Sequence, residues 1–408
     1  MINRVHVKGY RSLADVAVEL RPLNVLIGEN ATGKTNFLDC FAFISEAMLG
    51  NLPEAIRGRN GMRSLLWAGG SQAVSFVVEI MRSLRYEAEI ASLGRTHQVA
   101  YEKLSLTPAG KPEKVLLEVK AGQGEACWGD WRAVLRPRVA KPDLSWLLRS
   151  RAPQPTLPGV TPERQLQVDD TNLSLAQVGG FPDQSPYWLA IMLLSLSRLY
   201  RPIDATAGGP IRQPQLITNA VYPGVSADDL PSVLFNLDAK EEHTPKFAGL
   251  KAALEAGCRD FDSVRVEVVE PGKISLRWKE KHFAREFVPE ELSDGTLRFL
   301  FLATALLTAE PAHPALICVD TPELDMHPKM LDVVAELLKA ASQRTQVIAS
   351  THSPLLVGHF EPEDVLIVEK QDGATRLRRA SDRADLRGWL EKFTLGELMA
   401  SGELERPE

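Results

Sequence analysis

The 408-residue sequence predicts an α/β fold with a β-sheet core and flanking helices, and two stretches support that prediction. Near the N-terminus an apolar run, a glycine-containing loop and a helical pattern follow one another over 23–48. In the last third, helical and strand patterns alternate: helix 296–309, strand 315–320, helix 328–341 and strand 345–351. Such alternation is typical of parallel strands joined by crossover helices.

The other segments predict an insertion between two halves of this core. Residues 2–20 alternate like a hairpin, and Val74–Ile80 and Tyr86–Ile90 are strand candidates. The less regular middle contains Tyr187–Tyr200, an apolar run that predicts a helix. No sustained heptad pattern occurs, so we expect no long coiled coil. The predicted parts are an N-terminal part, a large α+β insertion and a C-terminal part, at 1–94, 95–285 and 286–408.

The composition is typical of a soluble globular protein, with 44% hydrophobic and 25% charged residues. The formal net charge of −6 argues against a surface that coats nucleic acid or anionic membrane throughout. The N-terminal residues lack the apolar core of a signal peptide, and no apolar run reaches membrane-spanning length. The sequence therefore predicts a cytoplasmic protein with no membrane partner.

The glycine-containing loop has the spacing G-x-x-x-x-G-K-[ST]. Between a strand and a helix, the backbone N–H groups of such a loop and the helix N-terminus surround phosphates. Its lysine reaches the β- and γ-phosphates, and its hydroxyl binds Mg²⁺. The loop predicts a nucleoside triphosphate site formed by Gly28, Glu29, Asn30, Ala31, Thr32, Gly33, Lys34 and Thr35.

Three later motifs are candidates for the rest of this site. Leu316–Asp320 is an apolar strand pattern that ends in an acid, which can hold Mg²⁺ through water. Ser293 is a natural N-cap for the helix that follows, and Gly295 lets the backbone approach a ligand. His352 ends the last strand pattern, where an imidazole can touch a γ-phosphate.

The order of these motifs resembles the RecF/SMC-like branch of the ABC-type ATPases. More narrowly, it looks like the compact "predicted ATPase" (AAA family ATPase) group related to the ATPase part of OLD-family proteins. The likeness spans nearly the whole chain and is carried by Lys8–Leu13, the phosphate loop, Leu292–Thr296, Asp320, Thr321–Pro328, Thr351–Pro354 and Leu395–Leu398. It implies a P-loop NTPase of ABC type with a mixed β-sheet core. Such a protein would bind ATP and Mg²⁺ and form a homodimer on ATP binding.

The resemblance also implies individual roles. Ser293, Asp294 and Gly295 would form the signature motif, which contacts the γ-phosphate held by the opposite protomer. Asp320 would be the Mg²⁺-binding acid and His352 the switch histidine. Leu324–Asp325 would lie in the D-loop. Gln72 would be the Q-loop residue that contacts Mg²⁺. Arg11 and Asn36 complete the predicted nucleotide-contacting set.

One position departs from the family pattern. An acid that polarises the attacking water usually follows the Mg²⁺-binding Asp, whereas this chain has Thr321. A threonine hydroxyl is no general base near neutral pH, and such a base typically contributes about 10²–10⁴-fold in rate. Glu323, two residues on, is the candidate replacement. We expect slow ATP hydrolysis, and the alternative is an ATP-gated clamp with little turnover.

Three functions compete for this sequence. The first is an ATPase that acts on DNA in repair or in defence against foreign DNA, including phage DNA. The second is an ATP-gated regulatory subunit that controls a separately encoded nuclease or toxin without touching DNA. The third, a small-molecule kinase, is disfavoured by the signature and switch motifs. A nuclease of Toprim type within this chain is not expected, because the tail after His352 has no Asp-x-Asp pattern.

Two basic clusters bear on the DNA alternative. Six basic residues and two tryptophans occupy 131–151, a pattern that suits phosphate contacts and base stacking as well as a solvated amphipathic segment. The second cluster is interrupted by acids and predicts a solvated face, formed by Arg376, Arg378, Arg379, Arg383 and Arg387.

Overall fold

The computed structural model describes residues 1–108, 110–127, 163–178, 185–239, 244–310 and 314–404. The basic segment 131–151 lies outside these residues. The strands are β1 (Ile2–Tyr10), β2 (Leu13–Glu19), β3 (Leu23–Ile27), β4 (Ala73–Ile80), β5 (Leu84–Leu93), β6 (Thr96–Leu106), β7 (Lys114–Lys120), β8 (Gln123–Cys127), β9 (Glu163–Gln167), β10 (Ser197–Tyr200), β11 (Gln215–Leu216), β12 (Phe261–Glu270), β13 (Lys273–Glu280), β14 (Glu286–Phe287), β15 (Leu316–Asp320), β16 (Gln346–Ser350), β17 (Val365–Gln371) and β18 (Ala374–Arg379).

The helices are α1 (Lys34–Met48), α2 (Leu52–Arg57), α3 (Met62–Leu65), α4 (Ser174–Gln177), α5 (Pro186–Ser195), α6 (Leu230–Ala239), α7 (Thr244–Gly257), α8 (Asp294–Thr308), α9 (Pro328–Ser342), α10 (Pro354–Val357), α11 (Arg387–Leu390) and α12 (Leu395–Ala400). Short 3₁₀ turns occupy Pro210–Arg212, Pro289–Glu291, Ala380–Asp382 and Ala384–Leu386. The longest described helices have 15 residues, so the described part of the chain has no long coiled coil. None of the described helices is long and apolar enough to cross a membrane.

A six-stranded sheet, in the order β10-β15-β16-β3-β17-β18, forms the centre of the fold. Its pairs are parallel except for the antiparallel pair β17–β18. Every residue of β3, β15 and β16 is buried, which explains why these segments are continuous apolar runs rather than alternating ones. The predicted α/β core with a mixed sheet is therefore confirmed.

An eight-stranded antiparallel sheet lies beside it, in the order β2-β1-β4-β5-β6-β7-β8-β9. The residues buried on this sheet share one hydrophobic core with one face of α1 and with α5. The sheet contains the predicted hairpin and both N-terminal strand candidates, and it continues through β6 to β9 into the middle of the chain. The predicted division at residue 94 thus falls between two hydrogen-bonded strands of one sheet, and the proposed boundaries stay a prediction.

Two predictions about the middle and the tail are wrong in part. The apolar run Tyr187–Tyr200 forms a helix only to Ser195, because Ser197–Tyr200 pairs in parallel with β15 as an edge strand. In the second basic cluster, Arg379 and Arg383 are 8% and 3% exposed, so these two do not lie on a solvated face. Their guanidinium groups donate to backbone carbonyls that the tertiary fold brings close, and Arg383 also pairs with the neighbouring Asp385.

Candidate functional site

The phosphate loop Gly28–Thr35 connects the end of β3 to the start of α1. Gly28 and Gly33 have φ values of 141° and 111°, which favour glycine. A Cβ atom at Gly28 would lie 2.1 Å from the Val368 carbonyl oxygen, and one at Gly33 would lie 2.1 Å from Thr375 Oγ1. The loop therefore needs both glycines, for backbone conformation and for its close approach to the neighbouring strands.

The loop lysine is folded over the turn. Lys34 is buried, and its Nζ donates to the carbonyl oxygens of Gly28 and Glu29 at 2.7 Å each. Thr32 Oγ1 donates to the same Glu29 carbonyl at 2.9 Å. The intervening residues Glu29, Asn30 and Ala31 are exposed. An ammonium held inside a ring of backbone groups suits a bound phosphate chain.

Two oxygen donors meet beside this loop. The Thr35 hydroxyl, at the start of α1, lies 3.4 Å from Asp320 Oδ1 at the end of β15. Hydroxyl and carboxylate oxygens are the donors that Mg²⁺ prefers, with water and substrate phosphates completing its shell. The pair therefore fits a magnesium ion. β3, β16 and β15 are neighbours in the parallel sheet, which explains why the loop and the acid share one edge.

Ser350 is part of this edge, although the sequence did not single it out. Its hydroxyl donates to Asp320 Oδ1, and its carbonyl accepts the Thr321 N–H at 3.0 Å. Ser350 is the last residue of β16, directly opposite Asp320 in the parallel register. A polar residue that ends a strand next to the acid-bearing strand is the signal that could have identified it.

Thr321 and Glu323 lie where the chain leaves β15. Thr321 has a φ of 53°, an uncommon value for a β-branched residue. Glu323 Oε1 accepts the backbone N–H of His352 at 2.6 Å. Its other oxygen, Oε2, is buried without a hydrogen-bond partner among the described residues. A carboxylate with an unused buried oxygen fits a group that would accept a hydrogen bond from a water or a substrate.

His352 follows β16 by two residues and faces the same edge. Burial lowers its pKa, the positive charge of Lys34 lowers it further, and the charges of Glu323 and Asp320 act in the opposite direction. The net shift is downward, so the imidazole is neutral at pH 7. The fold thus brings Lys34, Asp320, Glu323 and His352 into one electrostatic neighbourhood.

The predicted signature residues open α8. Ser293 caps the helix, accepting the Thr296 N–H at 3.1 Å, and it is exposed. A Cβ at Gly295 would lie 2.1 Å from the Asp325 carbonyl oxygen, so the helix start packs directly on the predicted D-loop. Arg212 pairs with Asp294 at 2.5 Å. These described contacts join the signature residues to their own surroundings rather than to the phosphate loop of the same chain.

Arg11 and Asn36 lie beside the phosphate loop, and Arg11 pairs with a buried acid that the sequence did not single out. Arg11 Nη1 lies 3.4 Å from Asn36 Oδ1 and 3.1 Å from Asp39 Oδ2. Asp39 is 2% exposed and also accepts hydrogen bonds from Tyr10 and from the Arg59 guanidinium. Burial raises the pKa of Asp39, but the bonds from Arg59 and Tyr10 outweigh it and hold this pKa below its usual value.

Asp39→Ala should destabilise the fold by about 3–5 kcal/mol, because it leaves the buried Arg59 guanidinium without this carboxylate. Urea unfolding measures the change, with the exposed Asp15→Ala as the matched control. Since the folded pKa of Asp39 is lowered, its contribution is present at neutral pH and is lost as pH falls through that pKa. Equal stability of the two variants at pH 7 would contradict the assigned role.

Gln72 is not brought to the magnesium pair by any described hydrogen bond. It is exposed just before β4, and its carbonyl accepts the Ser92 N–H at 2.9 Å. Among the described residues there is also no cluster of three or more His, Cys, Asp or Glu side chains able to hold a metal. Thr35 and Asp320 are therefore the residues that would hold Mg²⁺ together with substrate oxygens, and the glutamine assignment stays a prediction.

Two family models match this chain. One, described as an AAA ATPase domain, matches residues 1–79 and includes the phosphate loop. The other, described as an AAA domain, putative AbiEii toxin, Type IV TA system, matches residues 216–358. The second match covers the predicted signature residues, Asp320 and His352.

Curated relatives are similar to part of this chain. The DNA replication and repair proteins RecF of Lactococcus lactis subsp. cremoris strains SK11 and MG1363 are 28% identical over 96 residues, 23% of this chain and 25% of theirs. The chain thus spans about a quarter of the length of these relatives.

Among solved structures, an SmcHead bound to the C-winged helix domain of ScpA has a TM-score of 0.49 and 14% identity, over 92% of this chain and 97% of that one. The SMC head domain from Thermotoga maritima has a TM-score of 0.46 and 12% identity, over 93% and 98%. The two ATPase-domain models match the parts of the chain that contain the phosphate loop and Asp320, and the chain is thus similar to P-loop ATPases, RecF among them.

Proposed function

We propose that this protein binds ATP, hydrolyses it slowly, dimerises on ATP and acts on DNA in repair or in defence against foreign DNA. The observation that supports it most is the meeting of Lys34, Thr35 and Asp320 at one edge of the parallel sheet. These residues would form one half of the proposed ATPase site, while Ser293 of the predicted signature is exposed on a separate element.

Each residue has a role in this proposal. Lys34 and the loop N–H groups bind and orient the phosphates, and Thr35 with Asp320 holds Mg²⁺. Bound Mg²⁺ would neutralise the charge that develops on the phosphate oxygens. Ser350 fixes the Asp320 carboxylate by its hydrogen bond. His352, neutral at pH 7, is placed to donate or accept a hydrogen bond near the γ-phosphate.

Glu323 is the proposed water-positioning group. Its Oε2 is buried and carries no described partner, and its Oε1 is fixed by the His352 N–H. A carboxylate fixed through one oxygen can accept a proton or a hydrogen bond from water through the other. Glu323 does not directly follow Asp320, as the water-polarising acid of the family usually does. This difference fits slow rather than rapid turnover.

The proposed dimer would give the exposed Ser293 of the predicted signature a binding partner. The resemblance implies that Ser293, Asp294 and Gly295 of one protomer meet the phosphates held by the other, and their described contacts leave Ser293 exposed for that contact. ATP would then act as the bridge between protomers. Two copies would complete two sites.

Ser293→Arg should leave ATP affinity intact and abolish ATP-driven dimerisation, because a bulky side chain would fill the space intended for the partner's phosphates. Light scattering after gel filtration, with and without ATP, measures the change. Ser293→Ala is the matched control, since it also loses the N-cap bond, worth about 1 kcal/mol, without adding bulk. Dimers of the Arg variant equal to wild type would refute the assignment of the signature to the interface.

Two similarities favour different targets for this protein. The similarity to proteins named DNA replication and repair protein RecF favours action on DNA. The match to a model named for a putative toxin of a Type IV TA system favours the second function, an ATP-gated regulatory subunit that controls a separate effector. We infer a cytoplasmic location for either function. Steady-state ATP hydrolysis with and without DNA separates them, because stimulation by DNA is expected only for the first.

A further inference from the structure

A cavity of about 880 Å³ opens at the junction of the two large sheets. Arginine side chains from five segments of the chain line it, and we call it the arginine groove: Arg4, Arg21, Arg82, Arg378, Arg379 and Arg383. Three acidic residues, Glu19, Glu79 and Asp382, share the lining, so positive charge is in excess. An excess of guanidinium groups in a concave surface concentrates anions.

The arginine groove is distinct from the ATP site. Arg21 and Pro22 line it just before β3 begins, whereas the phosphate loop begins where β3 ends. Five strand residues at about 3.3 Å each put roughly 16 Å between the two. β18 also extends from the phosphate loop to the arginine groove. At one end of this strand Thr375 Oγ1 donates to the Thr32 carbonyl at 2.6 Å, and at the other end Arg379 lines the groove.

The wall of the groove contains a buried cation. Arg379 is 8% exposed, and its guanidinium donates to the carbonyls of Glu19 and Glu363 and to Asn24 Oδ1, at 2.6, 2.8 and 3.2 Å. All three acceptors are neutral. Burial lowers the pKa of Arg379 and the nearby Arg21 charge lowers it further, while the charges of nearby acids raise it. A buried guanidinium bound to neutral acceptors keeps a positive charge at the wall.

We infer that the arginine groove binds the phosphate groups of a short run of nucleotides. Guanidinium groups match phosphate oxygens in geometry and stay charged at every physiological pH. The cavity volume falls within the range of about 300–1,000 Å³ typical of ligand sites, which is room for a few nucleotide units. The inference rests on the proposed action on nucleic acid, and it places a strand, or a free nucleotide, at the opposite end of β3 from ATP.

The test uses the full chain and a fluorescein-labelled single-stranded thymidine 12-mer, followed by fluorescence anisotropy over a range of salt concentrations. The variant is Arg4→Ala/Arg21→Ala, whose two side chains are exposed in the groove. We expect affinity to fall about tenfold. The slope of log K against log salt should become shallower by about 1.4, because roughly 0.7 is lost for each phosphate contact on a single strand.

The matched control is Arg63→Ala/Arg95→Ala, which removes two exposed arginines outside the groove. Identical affinity and slope for the groove and control variants would overturn the inference. Competition with thymidine monophosphate and inorganic phosphate identifies the source: displacement by the free nucleotide at micromolar concentration assigns a free nucleotide, and displacement only by unlabelled 12-mer assigns a strand.

Lys34→Ala separates this inference from the proposed function. It should lose ATP binding while retaining wild-type affinity for the 12-mer in the absence of ATP, because the groove lies at the other end of β3 and β18. Normal ATP binding by the wild-type chain, together with unchanged 12-mer affinity in the groove variant, would refute the inference alone. Failure of the wild-type chain to bind ATP, together with a loss of 12-mer affinity in the groove variant, would refute the proposed function alone.

Discussion

Lys34→Ala should weaken ATP binding by at least about 100-fold. The side chain is buried in the phosphate loop, with its Nζ 2.7 Å from the carbonyls of Gly28 and Glu29. Removing a charged donor to phosphate costs about 3 kcal/mol, which corresponds to that factor in affinity. Isothermal titration with ATP and Mg²⁺ measures it directly.

The control for this variant is Lys281→Ala, which removes an exposed lysine from the turn after β13. It should bind ATP like wild type. Thermal unfolding of both variants establishes that the loop variant is folded. ATP affinity of Lys34→Ala within the error of Lys281→Ala would mean that the glycine-containing loop holds no phosphate.

Glu323→Gln should lower the steady-state rate of ATP hydrolysis by about 10²–10⁴-fold while ATP affinity is retained. The amide keeps an acceptor for the His352 N–H, which Glu323 Oε1 accepts at 2.6 Å, so the local fold is preserved. The charge and basicity of the buried Oε2 are lost. Phosphate release in single- and multiple-turnover assays measures the rate.

Glu336→Gln is the matched control, because it makes the same chemical change on the exposed face of α9. Thr321→Glu supplies an acid directly after Asp320, and we expect it to raise the rate by about tenfold or more. Wild-type turnover in Glu323→Gln would contradict the role of Glu323. A Thr321→Glu enzyme no faster than wild type would mean that water positioning does not limit the rate.

The local sequence predicted those parts of the structure that depend on residues close together in the chain. β3, the glycine loop and the start of α1 form a contiguous unit whose apolar run, glycines and Lys-Thr pair are readable in order. β15, α9 and β16 have the lengths and apolar patterns that their burial requires. The position of Asp320 at a strand end followed from the apolar run before it. The α/β class followed from the alternation of helix and strand patterns.

The tertiary structure decided what depends on contacts between distant segments. Pairing with β15 turned the end of the apolar run at Ser197–Tyr200 from helix into strand, because a free sheet edge offered backbone hydrogen bonds. Ser350 reaches Asp320, and Glu323 reaches His352, only because parallel neighbours end at the same sheet edge. The arginine groove likewise combines side chains from both large sheets, and no local pattern records which strands will lie side by side.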